Sequence, residues 1–298
     1  MQILNFGSLN IDHVYTVDHF VAPGETLCSA DYQINAGGKG LNQSIALARA
    51  GVAVSHAGMI GGEGVFLKEL LSSSGVDVEN VITGSTPTGH AIIQVEKNSG
   101  ENSILLYPGA NMQISTDRMQ NILRKMPQGS WLLLQNEIND IPFLIENAKA
   151  CGLKVAINPA PCTEKVRSYP LHLCDLIIVN EIEAACLAAS EGSIPQHINT
   201  LANLFPESEI VVTLGKKGAV YRRGDVEIAV PAREVKAVDT TSAGDTVTGY
   251  FLASKLRGMD AQTAMEYAVF ASSITVSRHG AAVSIPTADE VFQSSPEK

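Results

Sequence analysis

The run Asp239-Thr240-Thr241-Ser242-Ala243-Gly244-Asp245-Thr246 sets two carboxylates at either side of small residues. It leads into a helical pattern with Val247, Tyr250, Phe251 and Leu256 apolar, ended by Gly258. Small residues at a helix start leave backbone N–H groups pointing outward, at the positive end of the helix dipole. That arrangement receives anions. One Asp at a helix start reads as an N-cap. Two acids around such a run suggest chemistry on an anion. A second patch, Ala36-Gly37-Gly38-Lys39-Gly40-Leu41-Asn42-Gln43, also opens a helix. Its glycines let a backbone approach a ligand closely. It is not a P-loop, because Gly40 follows Lys39, nor the dinucleotide fingerprint, because Gln43 stands where the third glycine belongs. Taken alone, a tight strand-to-helix turn accounts for it equally well.

Further polar groups follow short apolar runs. Ile3–Phe6 leads to Asn10 and Asp12, Trp131–Gln135 to Asn136-Glu137, and Val155–Asn158 to Pro159-Ala160-Pro161. Leu176–Asn180 leads to Glu181-Ile182-Glu183, and Ile210–Leu214 to Gly215-Lys216-Lys217-Gly218. The apolar runs read as buried strands. Gly40–Ala50, Ile141–Ala150 (after Asn139 and Asp140) and Pro195–Leu204 read as helices between them. Alternating strands and helices predict a parallel sheet with helices on both faces, whose ligands lie beyond the carboxyl ends of the strands. Val14–Ile34, with Pro23-Gly24, and Thr88–Tyr107 break the rhythm. In the latter, Ala91–Glu96 and Ser103–Tyr107 form a hairpin through Asn98-Ser99-Gly100. Both are read as strands of a small extra sheet. The alternative is two more strands of the central one.

The chain of 298 residues carries 21 basic and 31 acidic residues, a net charge of −10. Nucleic acid binding, which needs a basic face, is disfavoured. A small phosphate-bearing ligand is not, since amides and a metal ion supply positive potential locally. No run has the roughly 20 apolar residues of a membrane span. The start at Asn5, Asn10 and Asp12 lacks a secretory pattern. Five cysteines without C-x-x-C spacing read as reduced thiols of a cytoplasmic protein. The seven histidines lack metal-ligand spacing.

Both glycine-rich patches, in order with Asn10-x-Asp12, Asn158-Pro-Ala-Pro, Asn180-x-x-Glu183 and Thr213-Leu-Gly, make the chain resemble the ribokinase (PfkB) family of carbohydrate kinases. The likeness runs from Ile3 to Ser284 and is closest to the ribokinase branch. It implies one domain over 1–298, a ribokinase-like three-layer αβα sandwich with a mostly parallel sheet and a small β-sheet lid, its strands at about 14–34 and 88–107. Asn10, Asp12, Gly38, Lys39, Asn42 and Glu137 would hold a sugar. Asp245 would be the catalytic base, with Ala243 and Gly244 as the backbone anion hole. Asn180, Gly244 and Thr213, Leu214, Gly215, Lys216, Lys217 and Gly218 would contact ATP. Glu183 would influence Mg2+. Asp239, Thr241, Thr275, Arg278, Gly280 and Ser284 would surround a monovalent cation such as K+, several through carbonyls. The lid would mediate a homodimer. Thr241-Ser242 departs from commoner pairings, and Val269 stands where relatives can carry a polar base-contacting residue.

The expected reaction is transfer of the ATP γ-phosphoryl group to a primary hydroxyl, D-ribose giving ribose 5-phosphate. Such a transfer rests on alignment and charge stabilisation. The helix-start position should keep Asp245 ionised and hence a weak base. Asp12 and Glu137 accept hydroxyl protons, Asn10 and Asn42 both donate and accept, and Lys39 donates. Rival acceptors are fructose, deoxyribose or a nucleoside, the last stacked on Phe20 or Tyr32. A non-catalytic sugar sensor and an NAD oxidoreductase fit less well, given Asp245 and the missing third glycine.

Overall fold

The computed structural model describes residues 2–293. Met1 and residues 294–298, the two ends of the 1–298 assignment, lie outside it. The strands are β1 (Ile3–Phe6), β2 (Asn10–Val17), β3 (Asp31–Gly37), β4 (Val54–Ile60), β5 (Asp77–Thr83), β6 (Gly89–Glu96) and β7 (Asn102–Tyr107). They continue with β8 (Trp131–Gln135), β9 (Lys154–Asn158), β10 (Leu176–Asn180), β11 (Glu209–Thr213), β12 (Ala219–Arg223) and β13 (Val226–Val230). The helices are α1 (Lys39–Arg49), α2 (Val65–Ser73), α3 (Thr116–Lys125), α4 (Ile141–Ala150), α5 (Glu181–Ala188), α6 (Ile194–Leu204), α7 (Ala243–Leu256) and α8 (Ala261–Val276).

The large sheet has nine strands in the order β13-β12-β11-β10-β9-β8-β1-β4-β5. From β11 to β5 neighbours run parallel, and β12 and β13 add an antiparallel edge. Alternate residues along each strand fill two cores. Ile3, Leu133, Ile178 and Val211 face α1, α2, α7 and α8, while Leu4, Leu132, Leu134 and Val212 face α3 to α6. Strands buried on both faces explain the unbroken apolar runs. The apolar runs and helices anticipated above are found within a residue or so, except that Leu214 leaves the strand for the following turn. The chain leaves β1 towards β4 on one side, and β8 lies on the other. That reversal opens a crevice beyond the carboxyl ends of β1 and β8.

The four strands β3-β2-β6-β7 form a separate sheet, so the anomalous segments are not extra strands of the central one. Its first segment is wider than anticipated, β2 starting at Asn10 and β3 running to Gly37. Asn10 and Asp12 lie on β2 itself, paired with Gly37 and Asn35 of β3.

Two glycine contacts bring the chemistry together. A Cβ on Gly40 would lie 2.3 Å from the Ser8 nitrogen and 2.5 Å from the Gly7 carbonyl carbon, so α1 docks its first turn on the end of β1. One turn beyond Asp245, a Cβ on Gly249 would lie 2.4 Å from that of Ala46, so α7 crosses α1 at close range. The obstruction at Gly40 is backbone and cannot swing aside. Gly40→Ala is therefore expected to lose about 2–3 kcal/mol in urea unfolding, the upper part of the overpacking range. A loss below about 0.5 kcal/mol, the noise of ordinary surface changes, would contradict that docking.

Candidate functional site

Glu137, just beyond β8, anchors the glycine turn. Its Oε1 accepts from the Lys39 ammonium at 2.9 Å. Its Oε2 accepts from the Lys39 backbone N–H at 3.0 Å and the Ser8 hydroxyl at 2.5 Å. The carboxylate thus orients Lys39. Burial alone would depress Lys39, but the charges of Glu137, Asp245 and Glu183 outweigh it and hold the ammonium above its usual range. Gly38 adopts φ 96°, a left-handed conformation suited to glycine.

Asp12 sits over Gly37, whose missing side chain makes the room: a Cβ there would lie 2.1 Å from Oδ2. No described residue donates to this carboxyl. Burial and the neighbouring Glu137 push it up to about 6, against the pull of Lys39. Asn10 is buried, and its Oδ1 accepts from Asn111 Nδ2 at 2.8 Å, which commits that oxygen to a protein partner.

Asp245 lies on the first turn of α7. Its Oδ2 accepts from Asn42 at 3.0 Å and its Oδ1 from Gln43 at 2.9 Å. The helix start was expected to keep it a weak base. Instead burial outweighs Lys39, Gln43 and Asn42, and with Glu137 pushes the carboxyl up to about 6. A base poised nearer neutrality is better matched to proton removal. Asn42 gives its N–H to Asp245, leaving its Oδ1 buried with no partner among the described residues. Ser242, the N-cap in left-handed conformation, likewise has an unpartnered buried hydroxyl. These orphaned groups suit a hydroxylated ligand.

The Ala243 N–H is engaged by Thr240 O at 3.3 Å, contrary to its expected place in the anion hole. The N–H groups of Gly244 and Asp245 have no acceptor among the described residues. A Cβ on Gly244 would meet nothing within 4 Å. A cavity of about 200 Å³ joins Lys39, Asn180, Glu183, Thr213, Gly244 and Asp245. It is partly open and large enough for a small ligand group.

Asn180 and Glu183 form a capping box at α5. Glu183 accepts from Asn180 N–H and Nδ2, both at 3.0 Å, and from Asn158 at 3.3 Å. Burial raises this carboxyl against those donors and Lys39. With both oxygens so engaged, Glu183 suits a metal reached through water. Leu214, Gly215, Lys216, Lys217 and Gly218 form a turn beside the cavity, with only Thr213 on its wall. Val269 is buried in the core, away from that wall.

The proposed cation residues gather where the loop before α7 meets the end of α8. Asp239 accepts from Thr241 N–H at 2.9 Å and Gly280 N–H at 3.0 Å. Burial opposes its ionisation, but those donors and His279 keep the carboxyl below its usual range. Thr275 bonds Thr246, Ser284 bonds Ala281 O, and the Arg278 guanidinium pairs with Glu290. These bonds commit the side chains of Asp239, Thr275, Ser284 and Arg278 to protein partners. Among the described residues no three His, Cys, Asp or Glu side chains converge as a metal site.

Gln43 was missed. Its amide bridges Asp245 and Asn158 and accepts from Gln135 at 2.7 Å. A glutamine buried on the first turn beside Asn42 was the available signal. Asn111 had none, because its partners lie about a hundred positions away.

These features define a sugar-kinase site. The model of the pfkB family carbohydrate kinases matches residues 2–288, and the chain belongs to this family. It is a phosphotransferase with an alcohol acceptor. It is 37% identical over 295 residues to ribokinase of Haemophilus influenzae, covering 96% of each chain. It is 31% identical to deoxyribokinase of Salmonella typhi, covering 97% of each. The structure of Arabidopsis thaliana ribokinase complexed with ribose and ATP matches with TM-score 0.86 at 28% identity, covering 98% of this chain and 97% of that one.

The roles expected of Asp12 and Asp245 call for the ionised carboxylates. Burial holds Asp12 and Asp245 above the usual aspartate range, so both take up protons as pH falls through about 6 and activity is lost with them. The rate kcat/KM for sugar is expected to drop through pH about 6, with a limb steeper than one proton. A flat profile from pH 7 to 5 would exclude both assignments.

Proposed function

We propose that this protein transfers the γ-phosphoryl group of ATP to the 5-hydroxyl of D-ribose. The observation that carries it is Asp245, on the first turn of α7 beside unpartnered N–H groups, held by Asn42 and Gln43 and lining one cavity with Lys39, which pairs with Glu137. Asp245 takes the proton of the attacking hydroxyl. The Gly244 and Asp245 N–H groups, with Lys39, receive the migrating charge. Asp12, Asn10 and Asn42 orient the sugar. Mg2+ would neutralise the nucleotide phosphates, Glu183 acting through its water. K+ would sit among the carbonyls around Asp239 and Gly280. The four-stranded sheet would act as a lid that excludes water.

The relatives favour ribose. Deoxyribose is the runner-up because of the deoxyribokinase relative. A nucleoside is disfavoured. Tyr32 stacks on Tyr15 at 4.8 Å and bonds His13, on the sheet face opposite Asp12. Exposed Ile104, Leu105, Leu106 and Tyr107 along β7 favour a homodimer through the lid. No described helix is long and apolar enough to cross a membrane, and a cytoplasmic location accords with the charge and free thiols.

A coupled ADP-release assay across pentoses, hexoses and nucleosides, with and without K+, tests the reading. Ribose should give the highest kcat/KM. Sugar-independent ADP release, or a nucleoside as best acceptor, overturns it. Scattering and sedimentation read the lid and the assembly: a dimer mass, and compaction on adding ribose.

A further inference from the structure

Asn111 follows β7 in a short turn, Gly109–Met112, and is 1% exposed. Its Oδ1 accepts the Leu9 backbone N–H at 3.0 Å. A backbone N–H can only donate, so the group facing it must be oxygen. The other end of the amide is therefore nitrogen, and it donates to Leu9 O at 3.3 Å and to Asn10 at 2.8 Å. A donor there requires the Asn10 oxygen. This chain of polarity, starting from an unambiguous backbone donor, leaves Asn10 Nδ2 turned the other way. That nitrogen has no acceptor among the described residues and is not among the sealed unpartnered atoms, although Asn10 is buried. On the same strand and the same face, two residues on, stands the undonated carboxyl of Asp12.

We propose that Asn111 is a specificity-determining positioning residue. By fixing the Asn10 amide it makes Asn10 a pure donor beside the acceptor Asp12, so that the pair reads sugar hydroxyls as acceptor and donor. The inference rests on the sugar-kinase reading. It adds a residue beyond the sugar contacts, which joins the end of the lid strand β7 to the sugar site. A flipped Asn10 would aim its oxygen at the site and repel the lone pairs it should bind. Gly89 closes the third side. A Cβ there would lie 2.2 Å from Asn111 Nδ2 and 2.4 Å from Asn10 Oδ1, so the contact tolerates no wedge.

The test is a double-mutant cycle on the full-length protein with ribose and ATP. Asn111→Asp keeps the acceptor for Leu9 N–H and removes the donor to Asn10. It is expected to raise the ribose KM roughly 10- to 100-fold, the scale of a buried acceptor left unpaired, with kcat at saturating ribose changed less than about threefold. In an Asn10→Ala background the same change should move KM less than about threefold. Gly89→Ala perturbs the contact from the other side and should give the same pattern, so poor folding of one variant leaves the other to decide. Equal KM effects in both backgrounds, or a fall in kcat at constant KM, overturn the proposal. If wild type phosphorylates no pentose, the functional reading fails instead, which the parent enzyme alone reveals.

Discussion

Asp245→Asn is expected to lower kcat roughly 10²- to 10⁴-fold, about 3–5 kcal/mol of transition-state stabilisation. Two losses combine. The amide cannot take the hydroxyl proton. It also offers one oxygen where Asn42 and Gln43 each aim an N–H, at 3.0 and 2.9 Å. One of those donors then faces another donor, and the side chain must turn away. The free N–H groups of Gly244 and Asp245 remain, so some catalysis by charge stabilisation survives. Steady-state kinetics should place the loss in kcat, with ribose and ATP KM changed by less than about threefold, since the interaction is made at the transition state. A variant within threefold of wild type would remove Asp245 from the chemistry.

The second large effect belongs to Asp12. Asp12→Ala is expected to raise the ribose KM roughly 10²- to 10³-fold, about 3–4 kcal/mol, because a carboxylate accepting two hydroxyls makes hydrogen bonds of about 1.5–3 kcal/mol each. The carboxyl has no donor among the described residues, and burial and Glu137 have raised it to about 6. Hydroxyl donors would relieve that cost, so binding ribose should lower the value. The specificity test is sharper than affinity alone. At least one deoxypentose that wild type penalises should be accepted by the variant as readily as ribose, since the acceptor left unpaired by the missing hydroxyl is gone. If the variant keeps the wild-type preference among pentoses, Asp12 does not read a hydroxyl.

Much of this site was legible in the chain. Local signals placed the glycine turn at 36–43, the acid at the start of α7, the polar groups after each strand and the two anomalous hairpin segments. These rest on short-range rules: apolar runs bury, glycines permit close approach, and helix starts expose N–H groups. Of the missing parts, the side chains that pair across distant segments have no local signature. The antiparallel edge β12–β13 follows the Lys216-Lys217-Gly218 turn as a plain hairpin and was passed over. Asn111, Gln135 and Ser8 look like ordinary polar residues in sequence. They matter because β1 and β8 lie side by side and the turn after β7 packs on Leu9.

The residue types, in their order, determined which chemistry was possible: a carboxylate beside free amides, a lysine between glycines, amides and acids beyond parallel strands. Tertiary structure alone decided how those groups would behave. Burial raised Asp245 to about 6, where its helix position had suggested a readily ionised, weak base. The Thr240 carbonyl claimed Ala243, and Asn111 claimed one end of Asn10. Hydrogen-bond direction and desolvation depend on partners brought near by the fold from distant positions, so neither can be read from neighbours along the chain.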